Sequence, residues 1–447
     1  MNSKDIIDVM VQKANLALEK YMNMDQKKVD EIVGKMAQAA LENSETLALM
    51  AFEETKKGNF KDKISKNIFA SKNVFDSIKN EKTVGIINEN KSKGVTEIAD
   101  PLGVIAGVTP VTNPTSTVIF KALICAKTRN PIIFGFHPGA RNCCIETAKI
   151  LRDAAVLAGA PEDLIQWIEE PSIEATSSLM NHPGVAVVLA TGGSAMVKSA
   201  YSTGKPALGV GPGNVPCYVE KTANVQRACG DILLSKTFDN GMICASEQSV
   251  IVDKEISEEF EAAANKLGFY FLSDSEAKKL SGFIFNEANG KLNVKIVGQS
   301  ACNIAKMAGI TVPENTKILV AKLDEAGPDV PLSAEKLSPI LGYFISNDAN
   351  EAFKICESIL DFGGRGHTAA IHSENSEVIK NFGLRMIAGR IIVNTPSSQG
   401  AIGGIYNSNI PSLTLGCGSH GKNSVSSNIS IQNLVNIKKI FMRIKNI

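Results

Sequence analysis

The amino-acid sequence predicts an α/β fold with parallel sheets, divided between at least two domains. Three observations predict it. The chain has 447 residues, and domains typically take roughly 100–200 residues each. Its composition, 44% hydrophobic and 21% charged, is that of a globular protein with a large core. Past the first eighty or so residues, short apolar runs alternate with segments of helical period, the spacing of a parallel α/β sheet.

Residues 1 to about 80 read as helices, because IIDVMVQKANLALEKYM and KKVDEIVGKMAQAALEN place apolar residues at i, i+3, i+4 and i+7. GVIAGVTP is a strand ended by proline. PTSTVIFKALICAKTRN is a helix opening on Pro114. PIIFGF is a strand, RNCCIETAKILRDAAVLAGA a helix closed by Gly159, and IQWIEEP and VAVVLATGG are further strands. After about residue 220 a second α/β series begins: TANVQRACGDILLSK, SVIVD, EEFEAAANKLG, KILVAKL, EAFKICESIL, TAAIHS and RIIVNTP. With no low-complexity linker between them, the two units are expected to meet at a cleft, where ligand sites usually lie.

Charge and cysteine usage exclude several function classes. The net charge is +1 and no basic block stands out, which gives no support for nucleic-acid binding. No apolar run approaches the roughly 18 residues of a membrane span, and the N-terminus lacks the unbroken apolar core of a signal peptide. Nine scattered cysteines, with no CxxC pair and no metal-like spacing to the five histidines, fit a reducing cytoplasm and no metal site.

Six stretches could carry chemistry. In VAVVLATGGSAMVKSAYS a strand runs through Thr191, Gly192, Gly193 and Ser194 into a helix. This is either a tight connection or a pyrophosphate site, because glycines admit a ligand close to the backbone and a helix N-terminus favours anions. In ALGVGPGNVP, Gly209, Gly211 and Gly213 mark either a loop needing positive φ or a backbone passing close to a cofactor. Asn113, in VTPVTNPTS, is either a helix cap or an amide donor to a developing oxyanion. Cys244, in FDNGMICASEQSV, is either a buried small hydrophobe or a nucleophile. The preceding Asp239-Asn240-Gly241 predicts a turn that presents the thiol, and backbone N–H groups after the turn are expected to lower its pKa. His367, in GGRGHTAAIHS, and Glu335, in AEKLSPIL, are either structural or functional.

Together with NTPSSQGAIGG and PSLTLGCGS, these stretches run over nearly the whole chain in one order. As a set they resemble the aldehyde dehydrogenase superfamily, specifically its CoA-acylating branch and the aldehyde dehydrogenase half of bifunctional aldehyde–alcohol dehydrogenases. The resemblance implies a Rossmann-like NAD-binding domain over 1–220 and a catalytic domain over 221–424. It further implies that the segment from about 425 to 447 packs back or forms a small oligomerisation extension. It assigns Cys244 as nucleophile, and Asn113 with the Cys244 backbone N–H as oxyanion hole. It places the Thr191–Ser194 turn and the glycines 209, 211 and 213 at the cofactor, Glu335 at the nicotinamide ribose, and His367 near the reaction centre. NAD or NADP is the implied cofactor and coenzyme A the co-substrate. The implied partners are small molecules only, with a homo-oligomer, dimer or higher, in the cytoplasm or a bacterial microcompartment.

Departures from the family pattern sharpen the expectation. Where hydrolytic members carry a glutamate that activates water, this sequence has Val210. Water, with a pKa of about 15.7, needs a base, whereas a thiol near about 8.5 is already partly thiolate. The expected reaction is therefore aldehyde plus CoA plus NAD to acyl-CoA plus NADH, reversible through a Cys244 thioester, with a short-chain aldehyde such as acetaldehyde. The alternatives are a hydrolytic dehydrogenase, or the same chemistry on an anionic aldehyde (succinic semialdehyde or sulfoacetaldehyde) recognised by His420 or Lys422. The bifunctional relatives continue into an iron-dependent alcohol dehydrogenase, whereas this sequence stops at NLVNIKKIFMRIKNI, where that linker would begin.

Overall fold

The computed structural model describes residues 3–285 and 292–445. Four helices open the chain, Ser3–Met22, Gln26–Glu42, Ser44–Thr55 and Phe60–Ile68, the last running on through a π-turn at Phe69–Asn73. Asp25 caps the second with its carboxylate on the Lys28 N–H. Val29, Ile32, Val33, Met36, Ala37 and Ala40 all lie on its buried face, the i, i+3, i+4 stripe of the sequence.

Strands β1, Gly85–Asn90, and β2, Val95–Pro101, form an antiparallel hairpin. Then come β3, Val104–Val108; β4, Ile132–Gly135; β5, Ile165–Trp167; β6, Val185–Thr191; and β7, Ala207–Val210. They build a five-stranded parallel sheet of order β5-β4-β3-β6-β7. Helix Pro114–Lys127, buried along its length, packs into the same core as helix Arg141–Leu157.

Residues 211–214 lead directly into β8, Val215–Val219, which already belongs to a second sheet. That sheet continues with β9, Glu247–Asp253; β10, Phe269–Phe271; β11, Ile318–Lys322; β12, Ile340–Ser346; β13, Gly366–His372; and β14, Ala388–Val393. Its order is β10-β11-β12-β9-β8-β13-β14, parallel throughout. Central strands β3, β8, β9 and β13 are buried at every residue, as expected for parallel strands covered on both faces. Finally β15, Val435–Phe441, pairs antiparallel with β2 over the length of both.

The sheets therefore part between Val210 and Val215, a few residues before the expected boundary at 220. Strand β8 was hard to see because Pro216 lies inside it, at a register irregularity, and proline inside a run argues against a central strand. The small ribbon draws on residues 85–101 as well as on the C-terminal segment. Among the described residues no helix is long and apolar enough to cross a membrane.

Candidate active site

The chain runs β3, β4, β5 to one side of the first sheet, then returns to lay β6 and β7 on the other. Neighbours β3 and β6 thus mark the point where strand order reverses, and in open α/β sheets ligands bind outside the carboxyl ends of such strands. Beyond β3 lie Thr109 to Asn113; beyond β6 lie Gly192, Gly193 and the N-terminus of helix Ser194–Tyr201. Beneath them the buried Lys121 ammonium donates to Val108 O at 2.5 Å and Leu189 O at 2.8 Å, tying the two strand ends together.

Glycine surroundings test whether a dinucleotide fits. A Cβ on Gly193 or on Gly211 would meet nothing within 4 Å, and one on Gly192 only Met196 at 3.5 Å. The backbone is open to a ligand there, and helix N–H groups face the opening, so these residues fit a pyrophosphate. Gly209 and Gly213 differ. A Cβ on Gly209 would press on the Tyr201 ring at 2.9 Å, so this glycine serves packing. A Cβ on Gly213 would lie 2.3 Å from Cys244 O and 3.1 Å from the His367 ring. Neither of these two has positive φ, so close approach and not turn geometry is what requires glycine there.

Cys244 sits in the second unit, between helix Val225–Thr237 and β9. The chain gets there through Asp239, Asn240 and Gly241, with φ of 48°, 53° and 76°. Left-handed backbone costs a non-glycine residue roughly 1–2 kcal/mol, so this turn must be held from outside. Asp239 Oδ1 accepts from the Asn59 N–H at 2.8 Å, and Oδ2 from Lys66 Nζ at 2.5 Å and Lys63 Nζ at 3.2 Å. Asn240 Nδ2 donates to Gly298 O at 2.9 Å. The expected turn is present, and it presents a half-buried thiol.

The expected fall in the Cys244 pKa is not found. Burial pushes it up to about 12, with Glu335 and Cys417 adding to the rise, and Arg390 and backbone N–H donation only partly opposing it. The error lay in counting dipoles without the larger cost of removing a thiolate from water. His367 Nε2 lies 3.2 Å from Cys244 Sγ. Burial, and then the nearby Arg390, hold its pKa well below the usual imidazole value. A neutral imidazole thus faces a neutral thiol. Nδ1 lies 2.9 Å from Thr368 Oγ1, which accepts from Arg390 Nε at 3.2 Å. With Nδ1 protonated and donating to that oxygen, Nε2 keeps its lone pair toward the sulfur. Arg390 Nη2 also donates to His367 O at 2.7 Å and so fixes the strand that carries the imidazole.

Asn113 precedes helix Pro114–Lys127 but makes no side-chain cap bond. Its Nδ2 donates to Met242 O at 3.2 Å, two residues before Cys244, while Oδ1 accepts from Lys66 Nζ at 2.6 Å. Glu335 Oε1 accepts from the Gly213 N–H at 3.1 Å. Burial raises its pKa to about 7, against the pull of that N–H, Lys236 and Lys336. Val210 is buried among apolar neighbours and offers no base.

The structure therefore brings Cys244, His367, Gly213, Glu335 and Asn113 together, and sets the Thr191–Ser194 turn at the strand-order reversal. It leaves His420 and Lys422 exposed, without a polar contact to Cys244, His367 or Asn113. Sequence reasoning missed Lys66, Arg390 and Thr368. The only available signal for Lys66 was its spacing from Lys63 in FKDKISKNI, one helix turn, which on most helices marks a solvated face.

Comparison with known proteins bears on the family. Residues 1–267 match the aldehyde dehydrogenase family. The chain is 52% identical over 456 residues to aldehyde-alcohol dehydrogenase 2 of Entamoeba histolytica, covering 100% of this chain and 52% of that protein. It thus spans about half the length of the curated relatives it matches first. An acetylating aldehyde dehydrogenase from Geobacillus thermoglucosidasius superposes with a TM-score of 0.97 at 47% identity, covering 100% of this chain and 98% of that one. A Rhodopseudomonas palustris propionaldehyde dehydrogenase, solved with bound CoA and an acylated cysteine, superposes with a TM-score of 0.88 at 28% identity, over 98% and 97% of the two chains. The chain belongs to the aldehyde dehydrogenase family, in its CoA-acylating branch.

Proposed function

We propose that the chain catalyses the reversible oxidation of a short-chain aldehyde, such as acetaldehyde, to its CoA thioester. The observation that carries this is the pairing of Cys244 Sγ with a neutral His367 Nε2 at 3.2 Å. A raised thiol pKa keeps Cys244 protonated until substrate arrives, so the attack needs an acceptor for the proton, and His367 is in place to be one. As sulfur bonds to the carbonyl carbon, the Asn113 amide and the Cys244 backbone N–H donate to the oxyanion. NAD or NADP, when bound, would accept the hydride; the Thr191–Ser194 turn beside Gly211 would hold its pyrophosphate and Glu335 its ribose. An acyl thioester remains on Cys244. His367 gives up the cysteine's proton to solvent; CoA then enters as a thiol, His367 takes its proton as the CoA sulfur attacks the acyl carbon, and the departing Cys244 thiolate takes that proton back. The acylated cysteine in the Rhodopseudomonas palustris neighbour supports this order of events.

Val210 is buried where hydrolytic members place a base, so that position offers no carboxylate to activate water, and Glu335 Oε1 already accepts from the Gly213 N–H. All nine cysteines are unpaired, which suits a cytoplasmic enzyme. The exposed Ile437, Ile440 and Phe441 on edge strand β15 suit a homo-oligomer. The test is NADH formation from acetaldehyde with and without CoA. Turnover should require CoA and yield acetyl-CoA, and rapid conversion to free acid in its absence would refute the assignment.

A further inference from the structure

Lys66 has no role in the reaction as described, yet it stands at the centre of it. Its ammonium is almost wholly buried and reaches two acceptors, Asp239 Oδ2 at 2.5 Å and Asn113 Oδ1 at 2.6 Å. One acceptor belongs to the turn that leads to Cys244, and the other to the amide read as the oxyanion donor. The lysine itself comes from helix Phe60–Ile68, in a different part of the chain from both.

A lysine can only donate, so the Asn113 atom it touches is the oxygen. The amide nitrogen must then face the opposite way. There it donates to Met242 O at 3.2 Å, in the segment that carries Cys244, and to Thr112 Oγ1 at 3.1 Å, contacts an aldehyde oxygen would share or displace. Without the lysine, the amide could turn over and present its oxygen to a developing oxyanion, which would repel it. A positive charge bonded to the amide oxygen also polarises the group and strengthens its N–H as a donor, more so in a closed site than in water.

The placement is held firmly. Asp239 is fully buried and is also bound by Lys63 and the Asn59 N–H. Gly58 packs so tightly on it that a Cβ there would lie 1.8 Å from Asp239 Oδ1. Burial lowers the Lys66 pKa to about 8, with Asp239 raising it and Lys63 lowering it. A lysine is costly to keep in such surroundings unless it is paired, and this one has two partners at the reacting centre.

We propose that Lys66, anchored on Asp239, is the positioning residue of the oxyanion site, holding the Asn113 amide with its nitrogen toward the carbonyl oxygen. The proposal rests on the reading of Asn113 as oxyanion donor, and a double-mutant cycle separates the two. Lys66→Met should lower kcat about 10- to 100-fold, less than or equal to the loss in Asn113→Ala, for which removal of one such donor predicts roughly 100- to 1000-fold. Because Asp239 keeps Lys63 and the Asn59 N–H, the turn should hold, and the KM for NAD and the rate of Cys244 alkylation by iodoacetamide should stay within about threefold of the parent, which a general loosening of the site would not allow. In the Asn113→Ala background, Lys66→Met should cost less than about threefold, because its target is gone. Lys66→Arg should recover part of the loss. Full activity in Lys66→Met, or losses that multiply in the double variant, would overturn the proposal alone. Undiminished turnover in Asn113→Ala would overturn the oxyanion reading beneath it. Should Lys66→Met fail to fold, the same cycle is run with Lys66→Gln, which removes the charge while Asp239 keeps Lys63 and the Asn59 N–H, and the same outcomes decide.

Discussion

The crevice at the end of the five-stranded sheet and the nucleophile turn of the seven-stranded sheet are both rich in glycine, and the glycines do opposite things. In the crevice, Gly193 and Gly211 have nothing within 4 Å of where a Cβ would stand. Around the thiol the absent Cβ is already needed by a neighbour: Gly213 by Cys244 O at 2.3 Å, Gly241 by Ser338 at 3.0 Å, and Gly366 by Cys417 O at 1.8 Å. The first set keeps space for a ligand. The second lets backbone pack against backbone and against the His367 ring around the sulfur. An identical residue type thus marks binding in one half and positioning in the other, and only the surroundings tell which.

The strongest way to break this contrast is Gly213→Ala. Its methyl group would displace Cys244 O or the His367 ring, and a shift of about 1 Å at a reacting centre can cost roughly 100-fold. kcat/KM for acetaldehyde should fall at least that far, and iodoacetamide should alkylate Cys244 at a changed rate, while NAD affinity is largely kept. Gly193→Ala should do the reverse. It adds a methyl group where the cofactor is to lie, so the dissociation constant for NAD, measured by calorimetry, should rise about tenfold, or 1.4 kcal/mol, with alkylation unaltered. If both variants disturb alkylation equally, the division between the two halves is wrong.

A smaller effect probes the closed half through stability. Glu247, three residues past Cys244, is buried, with Oε1 on the Ser397 N–H and Oε2 unpartnered. Burial raises its pKa from 4.5 to about 7. The unfolded chain therefore ionises this group first, and its contribution to stability falls as pH rises from about 4.5 to about 7. Glu247→Gln should flatten that fall, by about 1–3 kcal/mol across the window in urea titrations. An unchanged pH dependence would show that Glu247 titrates normally.

The fold was legible where periodicity was clean. Runs such as VAVVLATGG and SVIVD are strands because their residues are apolar throughout and flanked by turns, and the opening helices follow from their i, i+3, i+4 stripes. Strand β7 hid in a glycine-rich stretch and β8 behind Pro216. At the site, turn residues and a lone cysteine marked the candidate stretches, but each stood open to a structural reading until the family resemblance assigned it a role. Long-range polar pairing leaves none. Lys66 meets Asp239 from 173 positions away, and Arg390 reaches the His367 carbonyl across 23. The thiol pKa escaped for the same reason, because it depends on how much surrounding protein excludes water.

The direct connection from one sheet to the next, residues 211–214, is anchored at its far end, where Asn214 Nδ2 donates to Ser333 O at 2.9 Å and Ile359 O at 3.0 Å. Its near end, at Gly211 and the exposed Pro212, is unencumbered. Any tilting of the two halves would be absorbed before Gly213, upstream of the sulfur. On the proposed reaction, a spent dinucleotide could then leave and a long pantetheine arm enter without disturbing Cys244.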